Sequence, residues 1–126
     1  MKRTTSSLAI GLFAVVSLGT GACNKKEVAA APPSPESTKI FNERCSLCHG
    51  ARGLGDGPAA AALNPKPRNY TDKAWQAAVT DDQLRKTIVY GGAAVGKSPS
   101  MPSSPDLDAK PEVVDGLLQI VRSFGK

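Results

Sequence analysis

Cys45-Ser46-Leu47-Cys48-His49 holds two of the chain's three cysteines and its single histidine. On a helix two thiols three residues apart share a face, and the histidine follows directly. The C-x-x-C-H string reads as a covalent c-type haem attachment site. Cys45 and Cys48 add across the two vinyl groups of a haem, and His49 coordinates its iron from one face. Two competing readings of the cysteine pair are weaker. Structural zinc takes four ligands, and the one further cysteine, Cys23, stands twenty-two residues upstream beside a hydrophobic leader. A thioredoxin-like redox pair needs a βαβ context, and no segment here alternates as a strand does.

Upstream of the motif, residues 1–22 read as a signal peptide. Lys2 and Arg3 form a positive start, Leu8 to Leu18 an uncharged and mostly apolar core, and Gly19 to Ala22 a small-residue cleavage region. The apolar run of eleven residues falls well short of the ~20 that a transmembrane helix requires. Export agrees with the haem motif, since resemblance to proteins with covalent c-type haem implies maturation outside the cytoplasm. Residues 18–23, Leu-Gly-Thr-Gly-Ala-Cys, resemble a lipobox, which makes Cys23 a candidate for lipidation. Thr20 departs from the aliphatic residue usual three places before that cysteine, and ordinary cleavage after Ala22 is the alternative. Several acyl chains on one cysteine give stable membrane anchoring. Residues 23–36 are rich in Ala and Pro and read as a lipid-anchored linker, able to span ~45–50 Å when extended.

Residues 37–126 then form one small domain. A domain of this size buries little surface and often needs a staple; a porphyrin held by two thioethers and two axial bonds supplies the missing apolar core. Glu36 to Cys48 is the expected first helix, with Ile40, Phe41, Cys45 and Cys48 on one face. The glycines from Gly50 to Gly57 and Pro58 end it in a loop. Thr80-Asp81-Asp82-Gln83 is a capping box opening a second helix that buries Leu84, Ile88 and Val79 and stops at Gly91-Gly92. A Pro- and Ser-rich loop, Ser98 to Pro105, leads to a last helix starting near Pro111. Val113, Leu117, Ile120 and Phe124 recur there at helical spacing, flanked by Val114, Leu118 and Val121. The domain is expected to be all-α: three to four short helices wrapped around one covalently bound haem.

A low-spin haem iron needs a ligand on each face. Met101 is the only methionine beyond the initiator and no second histidine exists, so Met101, between Pro99 and Pro102, is the candidate. A lone methionine otherwise fills gaps in a core, for which a polar loop is a poor setting. His/Met ligation raises the reduction potential and leaves no open iron position for substrate.

These features together resemble the class I monohaem cytochromes c, of the small bacterial periplasmic or lipoprotein type. The resemblance spans residues 37–126 and rests on Cys45-Ser-Leu-Cys48-His49-Gly50, the glycine run to Gly57-Pro58, Met101-Pro102 and the closing Val121-Arg-Ser-Phe124. It implies that Pro58 offers its backbone carbonyl to the Nδ1 proton of His49. It also implies that the first and last helices cross, where the family often pairs a glycine with an aromatic residue; the matching positions here are Ser37 and Ile120. Arg68, Tyr70 and Trp75 are candidates to bind the haem propionates; the alternative is that Trp75 packs in the core and Arg68 is solvated.

Formal net charge is +5, but two of the sixteen basic residues lie in the leader, leaving fourteen against eleven acidic ones. No basic stripe with interleaved aromatics argues for nucleic acid. Lys66, Arg68, Lys73, Arg85, Lys86 and Lys97 are candidates to ring the haem edge and steer an acidic redox partner, or else are scattered solubilising charge. The expectation is a one-electron carrier, not an enzyme by itself, in bacterial periplasmic or respiratory electron transfer, exchanging electrons with a donor and an acceptor protein. The alternatives are a haem-based ligand-binding or sensor protein with a displaceable Met101, and a fixed cytochrome subunit of a larger oxidoreductase complex.

Overall fold

The computed structural model describes residues 32–126; the leader and Cys23 lie outside the described residues. Five α-helices follow in order: α1 Pro35–Ile40, α2 Ser46–His49, α3 Lys73–Ala78, α4 Asp81–Tyr90 and α5 Pro111–Ser123. Among the described residues there is no strand, so the all-α expectation holds.

The first helix starts earlier than the sequence suggests and is not continuous. Ser34 caps α1 by accepting a hydrogen bond from the Ser37 amide at 3.0 Å, and Pro35 occupies the first turn, where a missing N–H costs nothing. Glu36, the expected start of the first helix, accepts from Lys110 Nζ at 2.7 Å. Between α1 and α2, Phe41–Cys45 forms a π-helical turn, closed by the Ser46 amide on the Phe41 carbonyl. The wider turn holds one more residue than an α turn. It lets Ile40 and Phe41 enter the core while Cys45 and Cys48, downstream, both line the large cavity.

Helix α3 was not anticipated. Asp72 caps it, Oδ1 accepting from the Trp75 amide at 3.1 Å. The capping box of α4 is present as expected: Thr80 Oγ1 accepts from the Gln83 amide at 3.2 Å, and Gln83 Oε1 from the Thr80 amide at 3.0 Å. Leu84 and Val89 are its buried residues. Helix α5 supplies the largest share of the core, with Val113, Val114, Leu117, Leu118 and Val121 buried. A fully buried side chain of this kind contributes about 1.5–3 kcal/mol.

Helices α1 and α5 pack together, but not through the expected pair. Ser37 is fully buried and donates from Oγ to the Val113 carbonyl at 3.2 Å. The residue facing it is Gly116, where a Cβ would run into Ser37 Oγ. The small residue that permits close approach is therefore on the last helix, and Ile120 is only half-buried. The aromatic contact of this region is Phe41 against Phe124, with ring centroids 5.6 Å apart.

Candidate haem site

Helix α2 ends on His49, and the glycine-rich loop folds back to satisfy its last carbonyls. Gly55 N donates to His49 O at 2.8 Å, Gly57 N to Cys48 O at 3.1 Å and Ala59 N to Leu47 O at 2.9 Å. Those are the groups a helix C-terminus leaves unpaired. The loop thus fixes the short helix that carries Cys48 and the imidazole, directly after the π turn that ends on Cys45. Cys45 and Cys48 are free and half-buried.

His49 is 8 % exposed. Its Nδ1 lies 3.0 Å from the Arg68 carbonyl. A carbonyl oxygen only accepts, so Nδ1 carries the proton and Nε2 keeps its lone pair. This corrects the role given to Pro58: the acceptor that orients His49 is Arg68 O, and Pro58 is exposed and outside the cavity. Burial holds the His49 pKa below its ordinary value, opposed in part by the bond to Arg68, so the ring is neutral at pH 7, the form that ligates metals. Burial also pushes the Cys45 thiol up to about 11, with Arg44 opposing.

Tyr70 is 6 % exposed, and burial raises its phenol pKa. Its ring stacks on His49 with centroids 4.4 Å apart and planes 13° from parallel. Trp75 stacks on Tyr70 as well, 5.6 Å between centroids. The Arg68 guanidinium sits 5.7 Å from the Trp75 ring centre and 3.8 Å from Asp72. The expected propionate binders therefore form one contiguous group beside the histidine.

Met101 is positioned by its backbone. Its carbonyl accepts from Gly92 N at 3.0 Å, and its amide donates to Ser98 O at 3.3 Å. Gly92 has to be glycine for this approach, since a Cβ there would run into the Ser98 carbonyl. The Gly91-Gly92 pair thus ends α4 and also seats the methionine loop.

A cavity of about 580 Å³ is lined by Cys45, Cys48, His49, Arg68, Tyr70, Trp75 and Met101 together. That lies within the ~300–1,000 Å³ typical of sites for compact organic ligands. Its apolar wall comes from α1, the π turn, α4 and α5, including Ile40, Phe41, Leu84, Ile88, Leu117 and Val121. Two thiols, a neutral imidazole and a thioether around an apolar chamber suit a covalently held haem. Among the basic residues expected at its edge, Lys66, Arg68 and Lys97 line the cavity, while Arg85 and Lys86 line a separate groove between α4 and α5. Lys66 is also engaged as a brace, donating to the Ala60 and Ala61 carbonyls at 2.9 and 3.0 Å.

Sequence reasoning missed Gln76 and Arg122. Gln76 Nε2 donates to the Tyr70 carbonyl at 2.8 Å, and Arg122 Nη1 donates to Gln76 Oε1 at 2.9 Å. Arg122 stood in the sequence reading only as part of the closing Val121-Arg-Ser-Phe124, without a role of its own.

No curated protein matches the chain. Among solved structures, the KustC0563 c-type cytochrome is similar at 27 % identity with a TM-score of 0.53, over 71 % of this chain and 98 % of that one. The family model described as cytochrome c matches residues 36–117. By that match, and by the motif and chamber just described, the chain belongs to the cytochrome c family, whose members carry covalently attached haem c and transfer electrons through it.

Proposed function

We propose that the protein is a one-electron carrier with His49 and Met101 as its axial ligands, exported to the bacterial periplasm or cell envelope and anchored there by lipid on Cys23. The observation that carries this reading is that His49, Met101 and both thiols line one cavity. When bound there, a haem supplies the one-electron couple of its iron. The chain's own residues bind and orient it. Cys45 and Cys48 tether the macrocycle, His49 presents the lone pair of Nε2, and Met101 presents its sulfur. The wall from α1, α4 and α5 excludes water, which favours the less charged, reduced site. Ligation on both faces leaves no position for a substrate, which favours a carrier over an enzyme or gas sensor.

The test is the deep-red absorption of the purified ferric holoprotein at neutral pH. The expected result is a low-spin spectrum with a weak sulfur-to-iron charge-transfer band. A high-spin spectrum without that band would instead make the ligand-binding alternative the better account. Mass spectrometry of the envelope-derived protein tests the anchor: a diacylglyceryl mass on an N-terminal Cys23 is expected, and an unmodified Cys23 would refute it.

A further inference from the structure

Gln76 on α3 grips two carbonyls with one amide nitrogen: Nε2 lies 2.8 Å from Tyr70 O and 2.9 Å from Val121 O. Arg122 on α5 holds it in place. Nη1 donates to Gln76 Oε1 at 2.9 Å and to the Gln76 carbonyl at 2.7 Å, while Nη2 reaches Val79 O at 2.7 Å and Asp81 Oδ1 at 2.6 Å. The amide cannot turn over without opposing its donors to the arginine.

The segment that Gln76 grips is the one that touches His49. Arg68 O accepts the Nδ1 proton at 3.0 Å, and the Tyr70 ring stacks on the imidazole. Tyr70 N is tied on its other side to Gly53 O at 2.6 Å. Tyr70 is therefore held on both sides, at its amide by the glycine-rich loop and at its carbonyl by Gln76, two residues after the histidine's acceptor.

We propose that Gln76, oriented by Arg122, is a positioning residue for His49: by fixing the Tyr70 carbonyl it holds the Arg68 carbonyl against Nδ1 and so sets how strongly the imidazole donates to iron. The inference rests on the reading of His49 as the proximal ligand. A hydrogen bond from the non-ligating nitrogen raises the basicity of a ligating histidine. A more basic imidazole stabilises ferric over ferrous iron, so loosening the 68–70 span raises the reduction potential.

The experiment uses holoprotein carrying Gln76→Met, which keeps the length and loses the donor. Arg122→Lys is the second variant, because it leaves Gln76 present and removes the fork that orients it. Val113→Ala, a core truncation on α5 away from the 68–70 span, is the control for stability loss alone. Gln76→Met is expected to favour the reduced form by about threefold to tenfold, the upper figure being 59 mV for a one-electron couple. In the ferrous protein it should speed solvent exchange of the His49 Nδ1 proton, seen by NMR, by a similar factor. Arg122→Lys should move both in the same direction by less, and Val113→Ala should lower the thermal midpoint while moving neither.

If Gln76→Met and Arg122→Lys lower the thermal midpoint but leave potential and ring-proton exchange at their wild-type values, Gln76 is a clip between helices and the proposal is overturned. If wild-type holoprotein shows no iron-bound His49 ring resonances, the ligand assignment itself fails and the proposal falls with it.

Discussion

Met101 and His49 reach the same chamber by different means, and the difference predicts how each tolerates change. His49 is held at the ring, by the Arg68 carbonyl and by stacking on Tyr70. Met101 is held only through its backbone, by Gly92 and Ser98. Met101→Ala should therefore fold and retain haem, lose the charge-transfer band, and lower the midpoint potential by on the order of 100 mV or more, within the ~0.8 V that axial ligands span; redox titration measures this. A second residue-scale prediction concerns Asp106, whose carboxyl the bond from Arg44 Nη1, 2.8 Å long, holds below its ordinary value. Because the folded pKa is depressed, the stabilisation is complete above the ordinary carboxylate range and is lost as pH falls through the folded value. In an NMR titration of the side-chain carboxyl, Arg44→Leu should bring the Asp106 midpoint up to the usual range; an unchanged midpoint would show that the pair is not formed in solution.

Helix crossing rests on one small-residue contact. Gly116→Ala drives a methyl into Ser37 Oγ and Cβ, and overpacking of this kind costs about 1–3 kcal/mol. The double variant Ser37→Gly/Gly116→Ala exchanges the small side for the large and should recover part of that loss in thermal denaturation. No recovery would mean that Ser37 matters through its bond to Val113 O and not through its size. Elements also differ in how legible they were. The Thr80 capping box and the apolar spacing of α5 announced themselves, because both depend on residues within a turn or two of each other. Helix α3 is only six residues long, too short for an apolar period to emerge, and its single signal was Asp72. The π turn was hidden for a different reason: the positions of Ile40, Phe41, Cys45 and Cys48 suit an α-helix on paper, and their spacing does not mark where the extra residue goes.

At the scale of the whole molecule, the chamber is large beside what a domain this small can stabilise. Apolar side chains of α1, α4 and α5 face this chamber of about 580 Å³, so a large part of what they would pack against is the haem itself. Protein carrying Cys45→Ala/Cys48→Ala should therefore show far-UV circular dichroism of a largely disordered chain, with ordered helix returning only in the haem-loaded wild type. Native-like helicity in the double variant would show that the apolar contacts of α5 suffice alone. The covalent part of the site was readable because five consecutive residues carry it. The orienting part was not: Arg68 O and Gln76 act on His49 and Tyr70 through a carbonyl and an amide, groups with no sequence signature, and Pro58 was named in their place because the resemblance supplied a role before the structure supplied a geometry. The two sides of the chamber also lie far apart along the chain. Cys45 and Cys48 stand early in the described chain, Leu117 and Val121 near its end. The residues that would attach a haem and those that would enclose it thus come from separate parts of the chain, and α5 contributes only to the enclosure.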